Sequence, residues 1–163
     1  MSAEPPAKEN PTRVLPCTEA NLSQVEAILE RSPEAAAWTA RALTEALEQD
    51  PSHFLVGWQD EEIEGFICGR RVLDEGEILN LAVNPEFRRK GVGAALVQAL
   101  LEVFAKDRVV QVFLEVRESN TAAIAFYQRV NFRLTGKRPA YYQNPVEAAL
   151  VLVRGEEVSA SMG

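Results

Sequence analysis

EILNLAVNPEFRRKGVGAALVQALL, residues 77–101, decides the fold. Residues 77–83 are an apolar, β-rich run with no internal Gly or Pro, which predicts a strand. Asn84-Pro85 stops it, because Pro donates no ladder hydrogen bond and holds the residue before it extended. Arg88-Arg89-Lys90-Gly91-Val92-Gly93 follows, and Ala94 opens a run with apolar residues at helical spacing. Two glycines at the mouth of a helix leave backbone N–H groups uncovered. The helix dipole adds positive potential there, and three cations stand just before it. Strand, turn, glycine loop and helix together suit a pyrophosphate.

Other nucleotide motifs fail on this stretch. A P-loop needs a Lys after its last glycine, and Gly91-Val92-Gly93-Ala94 has none. A dinucleotide fingerprint needs a third small residue where Leu96 stands. What remains is R-x-x-G-x-G after a strand ending in Ala82-Val83. That pattern resembles the acetyl-CoA-binding motif of the GNAT superfamily of N-acetyltransferases. The resemblance implies that Leu81, Ala82 and Val83 serve through their backbone. Pantetheine would lie beside the fourth strand, and N–H groups near Val83 would meet the thioester carbonyl and its oxyanion. Arg88, Arg89 and Lys90 would neutralise phosphates, and Gly91, Val92, Gly93 and Ala94 would cradle them.

The bulk numbers bound the rest. The chain has 163 residues, 47% hydrophobic and 25% charged, ordinary for one globular domain. Residues 1–11 read as a disordered lead-in without a secretory h-region, 12–155 as a single domain, and 156–163 as a loose tail. No apolar run approaches a membrane span. A net charge of −7 argues against duplex nucleic acid as a partner. Cys17 and Cys68 are isolated, and His53 is the sole histidine. That leaves no zinc set, so no metal is expected, and the thiols fit a reducing cytoplasm. The expected state is a monomer or weak dimer.

Read in order, residues 12–17 form a short strand placed at an edge by Pro16. Thr18 caps a helix over 21–29. A second helix runs over 38–47, with Trp38 on its apolar face. Asp50-Pro51 ends it. Strands follow over 53–58 and 63–73, with 59–64 as a charged turn and Asp74-Glu75-Gly76 as the hairpin turn. Residues 109–116 form a central strand. Ser119 caps a helix over 121–129, and the chain closes as strand around Tyr141-Tyr142 and over 147–153. The expected order is β-α-α-β-β-β-α-β-α-β-β. The expected class is α/β (α+β): a mixed, mostly antiparallel central sheet with helices on both faces.

Leu114-Glu115-Val116-Arg117 leads into Ser119-Asn120, then Ala123-Ile124, Tyr127 and Phe132. This L-E-V-R-x-S-N-x-x-A-I-x-x-Y-x-x-x-x-F segment is similar to that of the bacterial ribosomal-protein-alanine N-acetyltransferases, the RimI-like branch of the superfamily. The likeness extends over roughly residues 13–154. One departure is Asn131, where that branch usually has Gly. The position ends a helix in left-handed geometry, which Asn tolerates better than other non-Gly residues.

Amide formation from a thioester needs a neutral amine, a stabilised oxyanion and a donor for the leaving thiolate. A free α-amine has a pKa of about 7.7–8.0, so a weak base acting through water suffices. Glu115 is the candidate base: a carboxylate inside an apolar strand is expensive unless paired or functional. The resemblance implies the same role. A surface ion pair is the rival reading, and Glu77 is the alternative base. Tyr127 is the candidate acid, against a role in packing alone. It also contributes to the cofactor site by resemblance. Asn120 is read as a cofactor contact, with plain capping as its rival. Trp38, Tyr141 and Tyr142 are candidates for the acceptor cleft. The implied reaction moves the acetyl group of acetyl-CoA to an amine by direct attack in a ternary complex. The acceptor implied by the branch is the N-terminal alanine of a ribosomal protein. The alternatives are a small amine (polyamine, amino acid or antibiotic) or a non-catalytic acyl-CoA-binding module.

Overall fold

The computed structural model describes residues 11–88 and 90–155. The expected lead-in falls outside these residues except for Pro11, and the tail and Arg89 fall outside altogether. Eleven strands and helices follow one another in the expected order among the described residues. They are β1 (Arg13–Pro16), α1 (Leu22–Glu30), α2 (Ala40–Gln49), β2 (Phe54–Gln59), β3 (Glu62–Val72) and β4 (Glu75–Val83). Then come α3 (Val92–Lys106), β5 (Gln111–Arg117), α4 (Thr121–Arg129), β6 (Arg133–Tyr142) and β7 (Glu147–Gly155). The strands make a mixed, mostly antiparallel sheet flanked by helices.

The residues divide into two compact units. The first takes the chain up to Cys68 together with Asn80–Leu100. Its strands lie in the order β1, β2, β3, β4, and β1 is the edge, as Pro16 predicts. β1 and β2 pair antiparallel, as do β2 and β3. Phe54 and Phe66 meet in the core at 5.8 Å between ring centroids. Gly57 and Gly65 form a smooth seat for Leu96 of α3. At Gly65 a Cβ would lie 2.7 Å from the Ala82 carbonyl oxygen, so β4 runs too close for any side chain there.

The second unit takes Gly69–Leu79 and the chain from Leu101 onward. Its strand order is β3, β4, β5, β7, β6. β4 and β5 pair in parallel, Glu75 to Glu77 against Gln111 to Phe113. β5 and β7 are antiparallel, as are β7 and β6. β5 lies between two strands, as its apolar run predicts. It alternates: Val112, Leu114 and Val116 are buried, while Phe113, Glu115 and Arg117 lie on the half-buried face.

The helix ends follow local chemistry. Thr39 Oγ1 accepts the Ala42 N–H at 3.1 Å, so α2 starts after Trp38 and not at it. Thr39 is the better cap, and Trp38 belongs to the preceding loop. Asn120, not Ser119, caps α4 through its Oδ1, which accepts the Ala123 N–H at 3.1 Å. Asn131 has φ +72°. The Phe132 N–H reaches the Tyr127 carbonyl at 2.9 Å, and the Asn131 N–H reaches that of Gln128 at 3.1 Å. This is a Schellman closure with Asn in the glycine position, as expected.

Two turns differ from the sequence reading. The charged turn shrinks to Asp60 and Glu61, and Glu64 is fully buried on β3. The β3–β4 turn uses Leu73, at φ +56°, and Asp74. Gly76 lies inside β4, where a Cβ would strike the Phe104 ring at 2.9 Å. That glycine serves packing and not the turn.

Candidate active site

The glycine loop belongs wholly to the first unit. β4 ends at Val83, and the Asn84 side chain accepts the Glu86 N–H at 3.1 Å, opening a short 3₁₀ turn over Pro85–Phe87. Gly91 has φ +81°, and nothing lies within 4 Å of where its Cβ would be. Its carbonyl accepts the Ala95 N–H at 3.0 Å, so α3 begins immediately after it. The N–H groups of Val92, Gly93 and Ala94 in the first turn therefore have no acceptor within the helix. Open space over a glycine, three outward donors and a 15-residue helix fit an anionic phosphate group. Val92 is buried and Gly93 half-buried.

The cations of this loop are not equivalent. Arg88 donates from Nε to the Val83 carbonyl at 3.3 Å and from Nη2 to Ser32 Oγ at 3.3 Å. It also forms a short ion pair with Glu34. A phosphate role for Arg88 therefore competes with three contacts made within the protein. Lys90 is exposed, its Nζ lying 5.6 Å from the centroid of the Phe87 ring. Leu81 and Val83 are half-buried and Ala82 is buried.

The second unit carries the carboxylate. Glu115 keeps 17% of its side chain exposed, and its Oε1 lies 3.4 Å from Arg138 Nε. Its Oε2 is buried with no group at hydrogen-bonding geometry. Such an orphaned oxygen costs about 1–3 kcal/mol. Arg138 and the tyrosines come from β6, whose register shifts between Arg138 and Tyr142, with Ala140 at φ +51°. This bulge re-aims the strand end. The Glu115 carboxylate, as a hydrogen-bond acceptor for the phenol, raises Tyr141 above its ordinary value, and burial adds to the shift. Tyr142 is raised first by burial and then by the Glu115 charge. The two rings meet edge to face at 5.0 Å.

A second ion pair supports Tyr142. The Arg117 guanidinium lies 4.2 Å from the Tyr142 ring centroid and 3.3 Å from Glu147 Oε1. Glu147 Oε2 accepts the Ser119 N–H at 2.6 Å. The Ser119 hydroxyl and N–H, then Arg117, hold the Glu147 carboxyl below its ordinary value. Sequence reasoning assigned no role to Arg138, Arg117 or Glu147: Arg138 reaches Glu115 from bulged β6, and Arg117 on β5 pairs with Glu147 on β7, and such cross-strand pairs leave no periodic signal.

Tyr127 is 7% exposed on α4, and burial raises its phenol well above the ordinary value. Its ring meets Phe132 edge to face at 5.4 Å, so it packs as well. Asn120 spends its Oδ1 on the cap. Glu77 has both oxygens on Arg70 Nη2, at 3.2 and 3.3 Å. His53 is buried, with Nδ1 2.6 Å from Asp50 Oδ1, a structural pair. Cys17 and Cys68 are not joined in a disulfide, and burial pushes both thiols up to about 12. Among the described residues no cluster of His, Cys, Asp and Glu could hold a metal ion, and no helix is long and apolar enough to cross a membrane.

Known proteins share this sequence pattern and fold. The Acetyltransferase (GNAT) family matches residues 22–132. The [ribosomal protein bS18]-alanine N-acetyltransferase of Escherichia coli is 39% identical over 84 residues, 52% of this chain and 57% of that relative. The match therefore spans little more than half of that relative's length. A putative enzyme of the same description from Bacillus subtilis is 30% identical over 125 residues, 76% of this chain and 83% of that relative. Among solved structures, the ribosomal-protein-S18-alanine N-acetyltransferase from Escherichia coli superimposes with a TM-score of 0.75 at 27% identity, covering 88% of this chain and 93% of that one.

Proposed function

The chain belongs to the GNAT acetyltransferase family, and from that premise we propose that it transfers the acetyl group of acetyl-CoA to the N-terminal amine of a protein. An alanine N-terminus of a ribosomal protein is the acceptor that the names of its relatives suggest. The observation that carries the reading is Glu115: a half-buried carboxylate with one oxygen unpartnered, beside a pair of tyrosines.

In this reading the phosphates of the co-substrate rest on the first-turn N–H groups of α3 and the bare face of Gly91, with Lys90 adding charge. Leu81 to Val83 offer backbone groups to its pantetheine arm. Tyr141 and Tyr142 are the acceptor contacts we assign to the second unit, and Trp38 the one we assign to the first. Glu115 takes the proton of the attacking ammonium, directly or through a water. The amine nitrogen then bonds to the acetyl carbon, the carbon–sulfur bond breaks with its electrons going to sulfur, and the second proton on nitrogen leaves to solvent, giving the neutral amide.

Tyr127 stays protonated at neutral pH. A thiol has a pKa of about 8.5 and a phenol of about 10, and burial raises this phenol further. Complete transfer of its proton to a free thiolate is uphill. Tyr127 therefore acts as a hydrogen-bond donor to the charge developing on sulfur, and solvent completes the protonation. Two thiols not joined in a disulfide fit a reducing cytoplasm as the site of action.

Thiol release from acetyl-CoA tests the proposal against two acceptor sets. One is short peptides beginning with Ala, Ser or Met; the other is spermidine, free amino acids and an aminoglycoside. Preference for the Ala peptide is expected. Preference for a small amine would keep the cofactor half and refute the acceptor. CoA binding with no release from any acceptor would refute the transferase.

A further inference from the structure

The loop joining α1 to α2 is tied to the β4 segment of the first unit at three places. Arg31 Nη1 donates to Asn84 Oδ1 at 3.4 Å. Arg88 holds Ser32 and Glu34. Asn80 Nδ2 donates to the Ala36 carbonyl at 3.0 Å. The same carbonyl accepts the Trp38 N–H at 2.9 Å. Asn80 and the Trp38 backbone thus converge on one oxygen. A carbonyl only accepts, so chemistry alone puts the amide NH2 of Asn80 against it.

Asn80 is an expensive residue for its place. It is 4% exposed, on the buried face of β4 between Ile78 and Ala82. Its Oδ1 is buried with no hydrogen-bond partner among the described residues. Leaving such an acceptor unsatisfied outweighs the modest gain from the one bond that Nδ2 makes. An apolar side chain of like volume would carry neither term. Folding alone gives no reason for an amide here. Its single contact, however, fixes the carbonyl that also sets Trp38.

We propose that Asn80 is a positioning residue for the acceptor. Through the Ala36 carbonyl it holds the Trp38 loop in its binding conformation, at the expense of stability. This rests on the reading of Trp38 as part of the acceptor cleft. A purely structural Asn80 would behave in the opposite way, since its loss would lower stability and leave substrate discrimination alone.

The test compares wild type with Asn80→Leu and Asn80→Asp. Leucine keeps the volume and removes the orphaned oxygen. Aspartate keeps the shape and sets a carboxylate oxygen against the Ala36 carbonyl. The expected result for Asn80→Leu is a Tm equal to or above wild type. The KM for an Ala-starting peptide should rise about tenfold, the loss of one neutral hydrogen bond's worth of positioning, in both variants. The KM for acetyl-CoA and the Kd for CoA should not move. A parallel measurement needs no turnover. Trp38 and Trp58 are the two tryptophans, so in a Trp58→Phe background emission reports Trp38 alone. Its anisotropy should fall in both Asn80 variants while Asn80→Leu keeps its Tm. Failure of Asn80→Leu to fold, a Tm loss with an unchanged ratio of the two KM values, or unmoved Trp38 anisotropy would each overturn the proposal. Should wild type acetylate no peptide at all, the acceptor reading falls, and the anisotropy still decides the role of Asn80.

Discussion

Replacing Gly91 separates what the glycine loop does for folding from what it does for binding. Its φ is +81°, where an L-residue is strained by about 1–2 kcal/mol. Nothing lies within 4 Å of the added Cβ, so no steric cost is added to the strain. Gly91→Ala should therefore lower stability by about 1–2 kcal/mol, or roughly 2–8 °C in Tm for a chain of this size. Gly91→Asn should lose less, because Asn tolerates left-handed geometry. Binding should suffer differently. The new Cβ occupies the open space through which a phosphate would approach the α3 amides. Losing one hydrogen bond to a charged group is worth about 1.5–3 kcal/mol, or roughly 10- to 150-fold in Kd. Calorimetry with CoA reads that loss for both variants. Acetyl-pantetheine, which lacks the phosphates, serves as the control substrate, and its KM should not change. CoA affinity undiminished in both variants would refute the phosphate site. An equal loss with acetyl-CoA and acetyl-pantetheine would show that the loop acts through stability alone.

Three further outcomes follow from named contacts. Glu115→Gln should lower kcat by roughly 100-fold or more at unchanged CoA affinity, while Glu77→Gln, which only releases Arg70, should leave turnover within about a factor of two in steady-state assays. Gly65→Ala should destabilise by about 1–3 kcal/mol in urea denaturation, because its Cβ would sit 2.7 Å from the Ala82 oxygen and the strand must shift. Glu147 is held below its ordinary value of 4.5, so the stability it adds is complete above that pH and fades as pH falls through the lower folded value. Acid titration followed by circular dichroism should show a weaker pH dependence in Glu147→Gln below that point.

Most of the fold could be read from punctuation. Pro16, Ser32-Pro33, Asp50-Pro51 and Asn84-Pro85 fall at or beside the ends of elements, and the order of strands and helices follows from the apolar runs between them. The errors came where one local signal competed with another. Trp38 joins the apolar period of α2, yet Thr39 offers a capping hydroxyl and wins. Gly76 resembles a turn residue, yet the ring of Phe104 explains it better. Glu64 sits in a charged cluster, yet its strand position points it inward, where Thr12 Oγ1 approaches at 3.4 Å. Glu115 was legible because a lone acid in an alternating apolar strand is conspicuous. Arg138 was not, because the bulge at Ala140 sets where β6 delivers its side chains, and no spacing in the sequence announces that bulge; Arg117 is on β5, and its partners Tyr142 and Glu147 come from other strands.

Glu77 and Glu115 show why burial alone is a poor guide to a base. They stand on neighbouring parallel strands, and Glu77 is in register with Phe113, two residues before Glu115. Their side chains are almost equally exposed, 15% and 17%. What differs is how their oxygens are used. Arg70 engages both oxygens of Glu77. Glu115 gives one oxygen to Arg138 and keeps the other without a partner. A base must hold a lone pair that is not already spent, within reach of an incoming proton. Arg138 lies against one oxygen of that carboxylate, and at the other an ammonium proton would relieve a cost the fold already carries. Two like residues two positions out of step on adjacent strands thus differ in their partners, and that difference is why Glu115 is the base we propose.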